Sequence, residues 1–128
     1  MDVKPDTLVA PLDRPLTDEE RALLDWLLGH GFPGANELRS QIERLTVAGK
    51  CTCGCPTIYF AFDEEPVQRK GERVISDHLA EVDGLPVGVM VFETNGVLSS
   101  LEVYSLPGTD KPFGLPLIAS ILGSETSE

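Results

Sequence analysis

Two dipeptides, Asp83-Gly84 and Asn95-Gly96, constrain this chain more than any other feature. Each separates alternating apolar segments and favours a type I′ turn, because Asn or Asp followed by Gly tolerates positive φ at both central positions. Residues 74–82, 85–93 and 97–104 therefore read as an antiparallel meander, and residues 57–63 (TIYFAFD), rich in β-branched and aromatic side chains, supply a fourth strand. Two-residue turns also imply a register. Around Asn95-Gly96, Thr94 opposes Val97, Phe92 opposes Ser99, Met90 opposes Leu101 and Gly88 opposes Val103. Around Asp83-Gly84, Leu79 opposes Gly88, Asp77 opposes Met90 and Ile75 opposes Phe92. One face then holds Ile75, Leu79, Met90, Phe92, Leu101 and Val103, with Asp77 fitting badly. The other holds Val74, Ala80, Val82, Val87, Val89, Val91, Leu98 and Tyr104, with Ser76, His78, Ser100 and Glu102.

Upstream the apolar period is helical. Thr17-Asp18-Glu19-Glu20 is a capping box, Leu23, Leu24, Trp26, Leu27 and Leu28 form a broad apolar face, and Gly29 and Gly31 supply the stop, which predicts a helix over 18–28. Pro33 suits a first helical position, and Ala35, Leu38, Ile42 and Leu45 trace one stripe of a second helix. The expected fold class is α+β: an N-terminal helical hairpin packed on one face of an antiparallel β-meander of about four strands. The Ile75–Val103 face is assigned to the helices, with Leu24, Leu27, Leu38, Ile42, Phe92 and Leu101 buried together. The opposite, half-apolar face then needs another cover, either a second chain or residues 1–16 or 112–122.

A chain of 128 residues suits one hydrophobic core, so residues 1–128 are read as a single domain. Residues 1–16, with Pro5, Pro11 and Pro15, are expected to be an extended arm, residues 64–73 a charged loop and residues 123–128 a mobile tail. The formal charge of −11, from 21 acidic against 10 basic residues, repels nucleic acid and anionic lipid and suits a basic or neutral partner. Apolar runs reach about eight residues, against roughly 20 for a membrane span. The acidic, proline-bearing start does not read as a secretory signal, so a cytoplasmic location with reduced thiols is expected.

All three cysteines fall in Cys51-Thr-Cys53-Gly-Cys55-Pro56. Three readings are open. As metal ligands they suit zinc, but alternate residues of a strand lie roughly 7 Å apart, so Gly54 would have to bend the chain. A fourth ligand would have to be His30, His78 or a carboxylate. As a redox pair, residues two apart lie near the upper limit for bridging. As small hydrophobes they would alternate toward one face as a strand enters the sheet, with residues 54–56 as a bulge. On that reading no cofactor is expected; zinc is the alternative.

Three stretches, FPGANELRSQI, VAGKCTCGCPTI and NGVLSSLEVYSL, resemble a family of small bacterial proteins of unknown function found in actinomycetes. The resemblance implies no activity, cofactor or catalytic residue. Other signals are sparse. Asp77 and His78 are neighbours on a strand and point to opposite faces, so they form no relay. His78, Glu102 and Tyr104 share a face in the expected register, as a polar site or a solvated patch. His30 suits the end of the first helix. No G-x-S-x-G, H-E-x-x-H, EF-hand or P-loop pattern occurs. No catalytic residue is assigned. The leading expectation is a non-enzymatic protein-interaction or binding protein, immunity- or antitoxin-like in one version. It would self-associate as a homodimer or hold a protein partner through His78, Val87, Val89, Val91, Leu98, Glu102 and Tyr104. The alternative is a metal- or redox-dependent protein working through Cys51, Cys53 and Cys55.

Overall fold

A computed structural model describes residues 9–109 and 111–122. The expected tail at 123–128, and residues 1–8 of the expected arm, lie outside the described residues. The chain is α+β. Strands β1 (Val9–Pro15), β2 (Leu45–Cys51), β3 (Ile58–Phe62), β4 (Glu65–Pro66), β5 (Arg73–Val82), β6 (Leu85–Thr94) and β7 (Val97–Ser105) form one sheet in the order β1-β2-β3-β7-β6-β5, with β4 paired to β3. Every pairing among the described residues is antiparallel.

Helix α1 (Asp18–Gly29) begins as its sequence predicts. Thr17 Oγ1 accepts from the Glu20 amide at 3.0 Å, and Glu20 Oε1 accepts from the Thr17 amide at 2.9 Å. Arg14 of β1 clamps the same carboxylate through two bonds of 3.0 and 2.9 Å. Burial alone would raise the Glu20 pKa, but the Arg14 guanidinium and the Thr17 amide hold it below the usual carboxylate range.

The meander is present, and both turns have positive φ at Asp83-Gly84 and Asn95-Gly96. The register holds from Val82↔Leu85 to Ser76↔Val91, and from Thr94↔Val97 to Glu93↔Leu98. Bulges beside Phe92 then break it. Ser99 is skipped, so Phe92 opposes Ser100 and Val91 opposes Leu101; on the other side Ile75 is skipped, so Val74 opposes Phe92. Polar partners hold these irregularities. Gln41 Oε1 accepts from the Leu98 amide at 2.9 Å, Ser99 Oγ donates to Glu72 at 3.0 Å, and the Ile75 carbonyl accepts from Phe32 N at 2.8 Å.

The bulges correct the assignment of faces. Val87, Val89 and Val91 share a face with Leu101 and Val103, and this face lies under α1, tied by Ser76 Oγ donating to the Leu27 carbonyl at 2.8 Å. Leu24, Leu27, Ile42 and Leu101 are buried as expected, whereas Leu38 and Phe92 are only half-buried. Asp77 marks the solvent side, where Met90 and Phe92 also lie.

Two further expectations are corrected and one is sharpened. Among the described residues the sheet has seven strands instead of about four. Residues 9–15 of the arm are an edge strand, which accepts Pro11 and Pro15 because an edge needs fewer amide donors. The second helix, Ala35–Arg44, is a 3₁₀ helix ending before Leu45, which opens β2, so the pair is not a hairpin of two α-helices. Gln41 anchors this helix to the β6–β7 turn by donating to the Gly96 carbonyl at 2.7 Å.

Candidate metal centre

Cys51 closes β2, and the chain then turns instead of continuing as a strand. Gly54 sits at φ +100°, a conformation L side chains rarely adopt, and a Cβ there would lie 3.2 Å from Pro112 Cα. The Gly54 carbonyl accepts from Phe113 N at 3.3 Å, so residues 112–113 brace the turn. Thr57 anchors its far end: Oγ1 accepts from Val103 N at 2.9 Å and donates to the Val103 carbonyl at 3.1 Å. The alternation expected of small hydrophobes is thereby replaced by convergence. Cys53 Sγ lies 2.9 Å from both Cys51 Sγ and Cys55 Sγ, and all three sulfurs lie within 4.8 Å of one another. Cys53 is exposed; Cys51 and Cys55 are half-buried.

Burial and the neighbouring thiols push Cys51 up to about 12. Burial also acts to raise Cys53, but its two thiol neighbours and the Cys55 amide outweigh it and lower its pKa. Three thiolates this close repel, and a bound cation is the arrangement in which all three ionise together. Sulfurs each about 2.3 Å from one cation stand roughly 3.8–4.0 Å apart, so Cys53 Sγ, 2.9 Å from each neighbour, would move outward by about 1 Å to share a cation with them. Among the described residues no His, Asp, Glu or further Cys joins the cluster, so His30 and His78 do not supply a fourth ligand.

A cavity of about 250 Å³ adjoins the thiols, lined by Cys53, Cys55, Tyr104, Ser105, Thr109, Lys111 and Phe113, with Gly108. Behind it, on the outer face, the Tyr104 ring lies over Gly88, where a Cβ would come within 2.2 Å of it. Arg69 stacks 4.1 Å over Tyr59, and Ser100 Oγ donates to Glu102 at 3.0 Å. Burial, with the Glu102 charge, pushes Tyr59 up to about 12. Burial and the nearby Glu72 charge raise Glu102. Ionised Glu102 therefore costs stability at neutral pH, a cost relieved as pH falls through its raised folded pKa. Glu102→Gln is expected to melt higher than wild type at pH 7, the gain shrinking to nothing below the ordinary carboxyl value. Thermal melts across pH 4–8 check this, and a loss at pH 7 would contradict it.

The residues expected to form one binding face are divided. Val87, Val89, Val91 and Leu98 are fully buried beneath the helices, so the strip thought to need a second chain is dried within this one. His78 lies on that side at the β5 edge, its Nε2 3.1 Å from the His30 carbonyl and its ring edge-on to Trp26, against which His30 stacks at 3.8 Å. Glu102 and Tyr104 face the other way. Sequence reasoning missed Tyr59, Arg69, Lys111 and Phe113; the positive-φ Gly54 turn was the signal that brings Phe113 to the cysteines. A larger groove between α1 and the 3₁₀ helix is lined by charges, of which Asp25 and Arg39 satisfy each other at 2.8 Å. No protein-family model, curated protein or solved structure matches the chain.

Proposed function

We propose that this protein binds one thiophilic cation, zinc in the first instance, through Cys51, Cys53 and Cys55. The convergence of three sulfurs within 4.8 Å on a glycine-dependent turn carries this reading. Soft thiolate donors select zinc or copper(I) over magnesium or calcium. The test is stoichiometry. Reduced protein is expected to take up one zinc per chain and to shield three thiols from alkylation, all three reappearing on chelation. A single reactive thiol after reductant removal, with no zinc uptake, would instead favour a redox pair.

A second reading, a non-enzymatic interaction protein, is supported by apolar side chains left outside the core. Leu79 is 46% and Leu122 66% exposed, and the two are joined by Leu122 N donating to the Leu79 carbonyl at 2.8 Å. On this reading the surface lies at the β5 edge, since Val89 is fully buried. Scattering that stays monomeric at high micromolar concentration, together with no partner at this edge, would remove the reading.

A further inference from the structure

Zinc bound by thiolates takes four ligands, and catalytic or exchangeable sites leave one position to solvent or substrate. Among the described residues three cysteines could serve. Two of them, Cys53 and Cys55, also line the adjoining cavity. At about 250 Å³ the recess lies below the size of drug-like pockets and suits a ligand of few atoms. It is lined by Tyr104 and Phe113, by the hydroxyl-bearing Ser105 and Thr109, and by Lys111. Ser105 Oγ already accepts from Thr109 N at 2.8 Å, so its remaining proton is available to an acceptor in the cavity.

We propose that this cavity is a subsite for a low-molecular-weight thiol that completes the coordination of the bound cation, its polar end turned toward Lys111. The inference rests on the metal-binding reading. The step is ligand exchange: the incoming thiol releases its proton to solvent, its sulfur forms the fourth bond, and a coordinated water leaves. A soft cation already held by three sulfurs favours a fourth sulfur over oxygen. Lys111 opposes the negative charge that the fourth thiolate adds, and it favours a carboxylate on the same molecule.

The test uses the reduced full chain loaded with cobalt(II), titrated with mercaptoacetate and with 2-mercaptoethanol. Sulfur-to-cobalt charge-transfer absorbance is expected to rise saturably with one thiol per cobalt. Mercaptoacetate should bind about threefold more tightly, the size of a single exposed charge contact. Lys111→Gln should erase that preference. A spectrum that ignores added thiol overturns the inference and leaves the metal reading standing. Cobalt-dependent dimerisation by light scattering also overturns it, since a second chain would then supply the donor. Failure to bind either cobalt or zinc before any thiol is added removes both.

Discussion

Phe60→Ala is expected to cost about 3–5 kcal/mol of unfolding free energy, whereas Phe92→Ala should cost about 1–2 kcal/mol. Phe60 is fully buried in the central β3, opposite Val47, and belongs to the cluster that includes Leu27, Val91 and Leu101. Its removal leaves a cavity that a sheet pinned on both sides cannot close. Phe92 is half-buried on the outer face opposite Ser100, so truncation there loses contact area but opens no sealed void. Against a typical total of about 5–15 kcal/mol, the first change removes about a fifth of the stability or more. Urea denaturation of both variants measures the difference. Equal losses, or the larger loss at Phe92, would restore the unbulged register in which Phe92 faces the helices.

That comparison also locates what the sequence made legible. The α1 capping box and the two I′ turns are local, decided by residues three or four apart, and each occurs where the pattern places it. The bulges at Ile75 and Ser99 are not local. They depend on Phe32, Gln41 and Glu72, which are distant in sequence and supply partners for the displaced groups. Asp77 was the visible warning: a charge on the assigned core face, beside a Val-x-Val-x-Val run assigned to the opposite one. The period of 2 from Val47 onward marked a strand, but the start of β2 was hidden because Leu45 fits the helical stripe as well as a strand. Edge strand β1 was hidden because Pro11 and Pro15 suggest irregular chain. The cysteine cluster was visible as composition, but its convergence needed Gly54 at positive φ and the bracing by residues 112–113, which lie almost sixty positions downstream.

Zinc is expected to raise the melting temperature of the reduced protein, and Cys53→Ser should abolish that rise while leaving the metal-free melt nearly unchanged. A ligand that binds only the folded state stabilises it by RT ln(1 + [L]/Kd), about 4 kcal/mol at a thousand times Kd. Unfolded cysteines retain some zinc affinity, so the observed gain falls below that limit. Cys53 is the decisive position because it lies 2.9 Å from each of the other sulfurs, so its loss leaves two donors without the one between them. A serine hydroxyl does not ionise near neutrality, and disturbing even an outer-shell partner typically costs 10–100-fold in affinity. Loss of a direct ligand should therefore exceed about two orders of magnitude. The metal-free fold is spared because Cys53 is exposed and the turn is held elsewhere, by Thr57 on Val103 and by Gly54 on Phe113. Calorimetric melts with and without zinc, on wild type and variant, decide the matter. An equal zinc-induced shift in both proteins would place the metal away from the cysteines, and no shift in either would return the cluster to a redox or purely structural role.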